Sequence, residues 1–377
     1  MIRSEHERAA AHPDSLNDRH ALERLALVTA ITVHALTAAL FGGAVAIWFT
    51  DLTGVVKVLV TVLLAAFGLV VAPIKLRRRT EGWTRDDAPQ LFALIDAIAT
   101  ELAIRPPRRL VVTPHYDVEA DVRTMRVGLP LWSALSPTGR HALLAYAVAL
   151  TAPDDPRAAP VFTAAAASIG DWLYLLQPDS ERSRRRRPIR TITGLVRPTS
   201  SVGISELLLP VALAPLFVSV HGLRVAIAAG LLPGGQRAGY RAIARAVSVA
   251  GVDGVIELLT ALLMHERVGQ ETSLAVRRGN VDLIDVARLY LAVLEPNVRE
   301  AVLTNSRKAD LEPRGNGPPP ALLTDFVAAT ASATPVRTPV EAITAADAEM
   351  QRNRDDINHR LRELVQAEMD AASHPPR

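Results

Sequence analysis

The sequence predicts a mainly α-helical fold with a small β-sheet, preceded by an N-terminal transmembrane hairpin of two helices. Two long apolar runs lie near the N-terminus, helical patterns of apolar residues dominate the rest, and only two short segments have the pattern of strands. The 377-residue chain is 49% hydrophobic but only 4% aromatic. Together with the long apolar runs, this composition indicates a chain that is partly embedded in a membrane.

Charge and cysteine content narrow the classes of function. The formal net charge is only +3, so bulk charge does not indicate nucleic-acid binding. The chain has no cysteine, which excludes a disulfide framework, a thiolate metal site and a cysteine nucleophile. It also has no phosphate-binding glycine loop and no nucleic-acid motif. We therefore predict no nucleic-acid partner, and the sequence leaves the oligomeric state open.

The transmembrane hairpin is predicted at 25–75, after a charged cytosolic segment at 1–24. Residues 25–49 carry no formal charge, and a second apolar run at 54–74 follows a short loop. Each run has about the 20 residues that a helix needs to cross a bilayer. Basic residues flank both ends of the hairpin, which places both ends in the cytoplasm. We expect a multi-pass protein of the inner or plasma membrane, with the lipid bilayer as partner and the soluble domain on the cytoplasmic side.

The soluble part begins with an amphipathic helix and two strands. Strands are expected at 109–114 and 125–132, the second running into a turn. The next helix begins after Ser136, which can cap it, with Pro137 at its first position. That helix is apolar nearly all round, so we expect it to be buried. The first helix is predicted from apolar residues at helical spacing: Leu91, Leu94, Ile95, Ile98 and Leu102.

The later part of the chain is predicted to be helical, with one membrane-associated segment. The apolar run 207–232 contains prolines and is predicted to be re-entrant or interfacial, but whether it or 160–176 crosses the membrane stays open. The arginine run 182–187 is either a solvated loop or a contact with anionic headgroups. A nucleic-acid contact is a third alternative, which the lack of aromatic residues among the arginines disfavours. Residues 234–264 predict a helix, a glycine-containing break and a second helix. A linker at 309–340 precedes a solvent-facing polar helix and tail at 341–377.

The stretch "VGLPLWSALSPTGRHALLAYAVALTAPDDPR" at 127–157 carries a family resemblance. Its order after a membrane hairpin, a helix and a strand pair resembles the HtpX-type membrane zinc metallopeptidases, which are relatives of the CAAX prenyl proteases. The resemblance is specific over 108–157 and weaker as far as residue 264. It implies a zincin-like metallopeptidase domain at 76–308.

The resemblance also implies that the active site is degenerate. In the family, an H-E-x-x-H helix supplies two zinc-binding histidines and a general base. The histidines correspond here to Tyr146 and Leu150, and the base corresponds to Ala147. A later glutamate ligand corresponds to Gly239, and a supporting aspartate to Ile243. We therefore expect no catalytic residues, no zinc and no other cofactor.

The predicted function follows from this loss. We expect an integral membrane pseudopeptidase that binds a peptide or a membrane-protein partner without cleaving it. In the resembled enzymes an edge strand captures extended substrate, and an added strand would pair with it through backbone hydrogen bonds. Two alternatives stay open: an active membrane metalloendopeptidase with other ligands, and a structural membrane subunit. The residues predicted to form the partner-binding edge strand are Met125, Arg126, Val127, Gly128 and Leu129.

Overall fold

The computed structural model divides the chain into two compact units. One unit comprises Met1–Asp18, Arg79–Asp154 and Pro233–Arg377, and the other comprises Arg19–Arg78 and Asp155–Leu232. The segments predicted at 160–176 and 182–187 lie outside the described residues. The residues that the structure describes are 21–51, 53–71, 82–121, 123–152, 204–279, 282–309, 318–330 and 338–373.

The second unit contains a packed pair of helices. Helix α1 (Ala21–Ala46) continues into a 3-10 turn at Ile47–Phe49, and α2 (Gly54–Val71) follows. The hydroxyl of Thr61 donates to the carbonyl of Ala44 across the pair, at 3.3 Å. Small residues at such a contact let two helix backbones approach closely. The two apolar runs of the sequence therefore form neighbouring helices that contact each other.

The first unit begins with one helix, a small sheet and two further helices. In the sheet, the strands lie in the order β1 (Arg109–Thr113), β3 (Thr124–Gly128) and β2 (Val118–Asp121), with β3 parallel to β1 and antiparallel to β2. The predicted strand at 109–114 is confirmed, whereas β2 was not predicted. Mostly helical structure with one three-stranded sheet agrees with the predicted fold class at this coarse level. The elements are α3 (Pro89–Glu101), β1 (Arg109–Thr113), β2 (Val118–Asp121), β3 (Thr124–Gly128), α4 (Leu129–Ala134) and α5 (Pro137–Leu150).

The predicted edge strand is in fact the central strand of this sheet. Residues Met125, Arg126, Val127 and Gly128 lie in β3, which pairs with β1 on one side and β2 on the other. Leu129 is the first residue of α4. Because β3 has a neighbour on each side, its backbone groups are engaged and cannot accept a partner strand. The prediction was wrong because β2 is only four residues long and contains two acidic residues, which are depleted in strands.

Helix α6 (Ile204–Leu263) contains the predicted glycine break. Residue Gly251 has φ +79° and ψ 168°, a conformation open only to glycine. Within the described residues, one helix, Gly235–Leu263, is long and apolar enough to cross a membrane by length and composition. The buried core helix of a soluble protein meets the same criterion. The non-helical conformation at Gly251 interrupts this stretch, and the helix before it extends back to Ile204.

The C-terminal part of the chain differs from its prediction at two places. The segment 309–340 contains a helix with buried Phe326 and Val327, so it is more than a linker. The expected solvent-facing helix after residue 340 is two helices, and the first has Ile343 and Ala346 fully buried. The helices are α7 (His265–Arg277), α8 (Ile284–Ala292), α9 (Pro296–Ala309), α10 (Pro320–Thr330), α11 (Val340–Met350) and α12 (Arg354–Ser373), with a 3-10 turn at Gln351–Asn353.

A large hydrophobic core holds most of the first unit together, and a smaller cluster contains Met264, Val268 and Ala287. The large core contains buried residues of α3, the sheet, α4, α5, the later half of α6, α10 and α11. Helix α5 has buried side chains around most of its circumference, which confirms the burial that its apolar sequence predicts. The predicted helical face of α3 is also confirmed, since its buried residues recur at helical spacing. Members with no exposed surface include Leu91, Ile95, Met125, Trp132, Ala147 and Ile243.

Candidate functional site

The N-terminus of α5 is fixed by a serine cap and a carboxylate from α6. The hydroxyl of Ser136 accepts from the amide of Gly139 at 3.3 Å, as the sequence predicts. The carboxylate of Glu257 accepts from the amide and the hydroxyl of Ser136, at 2.6 and 2.5 Å. Negative charge at a helix N-terminus is stabilising. This arrangement ties the start of α5 to the later half of α6.

Two glycines allow this close approach. A Cβ atom at Gly139 would lie 2.7 Å from Cδ of Glu257. A Cβ atom at Gly254 would lie 2.7 Å from the carbonyl oxygen of Thr138. Real Cβ atoms essentially never come this close to other heavy atoms. The absence of side chains at both positions therefore sets the distance between α5 and α6.

Three of the degenerate positions lie in the main core. Ala147 and Ile243 are fully buried, and the partly buried ring of Tyr146 packs against the same core. Burial raises the pKa of Tyr146 to about 12, so its phenol stays protonated at neutral pH. A protonated phenol is a poor zinc ligand, and alanine and isoleucine offer no donor atom. Leu150, the fourth position, is partly exposed at the end of α5.

The fifth degenerate position, Gly239, is packed against the segment before α10. A Cβ atom at Gly239 would lie 2.2 Å from Cδ and 2.6 Å from Cγ of Pro318. The neighbouring Tyr240 packs edge-on against Phe326, with ring centroids 5.1 Å apart. A glutamate side chain at position 239 would therefore need Pro318 to move. Gly239 therefore faces Pro318, whereas Tyr146, Ala147 and Ile243 pack in or against the main core.

Potential metal donors are sparse in this region. In the described part of the chain, no group of three or more His, Cys, Asp or Glu residues could hold a metal ion. Helix α5 carries one histidine, His141, whose side chain is 5% exposed. Its Nδ1 atom has no hydrogen-bond partner among the described residues, and burial lowers its pKa. The predicted loss of zinc stays a prediction.

A polar cluster joins α4, α5 and α11. The indole of Trp132 donates to Oδ1 of Asp347 at 2.8 Å. The guanidinium of Arg140 pairs with Oδ2 of Asp347 at 3.1 Å and donates to the carbonyl of Trp132 at 3.0 Å. It also lies 5.3 Å from the centroid of the Trp132 ring. No local sequence pattern predicts this cluster, because Trp132 and Asp347 are 215 residues apart.

Strand β2 forms one edge of the sheet, and at the other edge Trp83 forms an isolated bridge with Leu110 of β1. No other strand in the described ranges pairs with β2 on the side away from β3. Hydrogen-bonded and non-hydrogen-bonded residue pairs alternate in an antiparallel ladder. The amide of Gly128 donates to the carbonyl of Asp117 at 2.9 Å, so the peptide groups of Val118 and Ala120 point away from β3. Helix α5 contacts this strand.

Charged side chains line the outer face of this edge. Glu119 forms an ion pair with Arg126 of β3, at 3.1 Å. Asp117 lies just before β2, and its pKa is raised by burial and by the negative charge of Glu119. A shallow depression lies on this face, lined by Glu119, Ala120, Asp121, Thr124 and Arg126. We define the β2 edge as residues 117–121.

Comparison with known proteins adds no family to these observations. No family model matches the chain, and neither a curated protein nor a solved structure matches it. The resemblance to HtpX-type metallopeptidases therefore stays a sequence-based expectation. The packed core and the β2 edge are the features of this structure that bear on its function.

Proposed function

We propose that this protein is a membrane-anchored, non-catalytic binding protein whose fold descends from the HtpX-type metallopeptidases. The observation that carries this proposal is the packing at the degenerate positions. Pro318 fills the space beside Gly239, and Ala147 and Ile243 are fully buried in an apolar core. A metal and a metal-bound water would need polar ligands at these places. The protein then acts by binding a partner, not by hydrolysis.

The apolar surface of the α1 and α2 pair supports membrane anchoring. Phe49 and Val55, on either side of the turn, are 86% and 82% exposed. Soluble proteins rarely expose large contiguous apolar patches, because water contact with them is unfavourable. A bilayer would cover this surface, and the basic flanks would keep both ends in the cytoplasm. Other exposed apolar residues of the pair include Val28, Ile31, Val45, Val58, Leu59, Val62 and Leu63.

Metal content and hydrolysis test the loss of catalysis. The full-length protein is purified in detergent without chelator, its zinc is measured by mass spectrometry, and casein cleavage is assayed. We expect far less than one zinc per chain and no cleavage that a chelator abolishes. Roughly one zinc per chain, as in a catalytic site, together with chelator-sensitive cleavage would overturn the proposal.

Extraction and tagging test the membrane location. The protein should stay in the membrane pellet after alkaline carbonate treatment, because only burial in the bilayer resists that treatment. Tags at residues 2 and 377 should both be accessible to protease in inside-out vesicles. Removal of residues 25–75 should release the protein into the soluble fraction. A full-length protein that carbonate extracts completely would contradict an integral membrane location.

A further inference from the structure

We propose that the β2 edge binds an extended segment of a partner protein that carries basic residues at alternating positions. This inference rests on the proposed function and specifies the chemistry of the partner. It also moves the binding strand from the central strand β3 to β2. Backbone groups give the added strand its hydrogen bonds, and acidic side chains select its charge.

The backbone of the β2 edge is ready to pair. The amides and carbonyls of Val118 and Ala120 point away from β3. An added strand would use these four groups, which are otherwise a row of outward donors and acceptors. Each strand residue advances the chain by about 3.3 Å, so β2 is about 13 Å long. A partner segment of about four residues would pair along its whole length. Binding by strand addition is therefore geometrically available here.

The side chains of the β2 edge define a charge preference. Asp117, Glu119 and Asp121 are two residues apart, so their side chains lie on one face of the strand. Residues of an added strand on the same face would also be two apart and would lie opposite this row. Opposite charges on facing strands attract, and like charges repel. Alternating arginine or lysine residues therefore match the row, and alternating acidic residues do not.

The ion pair with Arg126 leaves the Glu119 carboxylate able to attract a further cation. Glu119 and Arg126 are 60% and 50% exposed, and ion pairs with this exposure are weak because water screens them. A partner arginine can therefore share or replace Arg126 at Glu119. A positive charge beside Asp117 would also relieve the repulsion that Glu119 exerts on it. Both effects favour a basic segment.

The test measures binding of a defined peptide to the full-length protein in detergent. The probe is a fluorescein-labelled octapeptide with alternating arginine and threonine, and fluorescence anisotropy reports its binding. A second octapeptide with glutamate in place of arginine is the charge control. We expect the arginine peptide to bind, and its affinity to fall as salt screens the charges. The glutamate peptide should bind at least about tenfold more weakly, since like charges on facing strands are unfavourable.

Two variants separate backbone pairing from charge. Ala120→Pro removes an outward amide without removing a bond to β3, and edge strands tolerate such a proline. It should weaken binding about tenfold, whereas Ala120→Ser, which keeps the amide, should not. Glu119→Lys should also weaken binding about tenfold by adding repulsion. Glu101→Lys, the same charge change at an exposed site on α3, should leave binding unchanged.

The variants test strand addition and charge selection separately. Unchanged binding by Ala120→Pro would overturn strand addition, and unchanged binding by Glu119→Lys would overturn selection by charge. No binding of the arginine peptide by the unmodified protein would overturn the inference as a whole and favour a purely structural membrane subunit. Zinc content and hydrolysis are measured without the peptide. Failure of the non-catalytic proposal is therefore distinguishable from failure at the β2 edge.

Discussion

At the scale of single residues, Gly239 shows that close packing can require a glycine. The space that a Cβ atom would occupy is taken by Cδ and Cγ of Pro318, at 2.2 and 2.6 Å. A catalytic ligand at this place would need both a different residue and a different path of the chain before α10. The substitution of one residue alone therefore does not restore a metal site here.

Substitutions at Gly239 and Pro318 should have non-additive effects on the free energy of unfolding, because the two residues are in contact. Gly239→Ala should destabilise the protein by about 1–3 kcal/mol, the usual cost of overpacking a core. In a Pro318→Ala background, which lacks both contacting atoms, the cost should fall by about 1 kcal/mol or more. Urea unfolding followed by circular dichroism measures all four proteins of the cycle.

The matched control is Gly269→Ala on helix α7. A Cβ atom there meets nothing within 4 Å, so the substitution should be neutral or stabilising by about 0.5–1 kcal/mol. If Gly239→Ala behaves like Gly269→Ala, then Pro318 does not pack on α6 as described.

His141 should make stability depend on pH. Burial holds its pKa below 6.5, so the unfolded chain binds the proton more tightly than the folded chain. Stability should therefore be full above pH 6.5 and fall as pH drops from there to the folded pKa. His141→Leu should remove this decrease, as followed by melting temperature across the same pH range. His359→Gln, at an exposed position on α12, should retain it.

At the scale of secondary structure elements, a distant residue caps helix α3. Its N-cap residue, Ala88, has no side chain that could accept a hydrogen bond. The carboxylate of Glu349, on α11, accepts instead from the amides of Gln90 and Leu91, at 3.1 and 2.9 Å. These amides belong to the first helical turn, where no carbonyl of the helix itself is available. Helix α3 thus depends on α11 for its start.

Removal of the Glu349 carboxylate should therefore destabilise the protein. Glu349 is only 6% exposed, so Glu349→Ala leaves two helix amides without an acceptor in a buried place. We expect a loss of about 1–3 kcal/mol in the free energy of unfolding, measured by urea titration. Glu341→Ala removes an exposed carboxylate from the same helix and should change stability by less than about 0.5 kcal/mol. Equal effects of the two substitutions would contradict the capping role.

At the scale of the whole molecule, the C-terminal helices complete the core of the first unit. Helix α11 packs on α3 and α5, and its Asp347 binds both Trp132 and Arg140. Helix α12 adds contacts with α7, and Arg354 at its start pairs with Asp282 at 2.6 Å. The segment after residue 338 is therefore part of the fold of this unit and not an appendage.

Cleavage between α10 and α11 should leave the two pieces together. A specific protease site placed at 331–337 allows the purified protein to be cut under native conditions. Because buried apolar residues and the Asp347 contacts hold α11, the fragment from 338 to 377 should co-purify with the rest after cutting. It should separate only in denaturant. Loss of the fragment under native conditions would support the solvent-facing helix that the sequence predicts.

Sequence by itself determined the features that depend on neighbouring residues. Periodic apolar residues defined the buried face of α3, and Ser136 with Pro137 marked the start of α5. A glycine marked the break in α6, where φ is positive at Gly251. These predictions succeeded because helix periodicity, capping and glycine conformation act over a few residues. The resemblance to a metallopeptidase family and the loss of zinc stay predictions.

Tertiary structure alone decided the features that depend on residues far apart in the chain. It placed β3 in the centre of the sheet, made β2 an edge strand and buried one face of α11. It also brought Pro318 against Gly239 and Asp347 against Trp132. A local pattern cannot encode these contacts, because burial of a helix face or pairing of a strand depends on which distant segment covers it. The weak signal of a four-residue strand hid β2, and the acidic sequence of α11 hid the burial of that predicted helix.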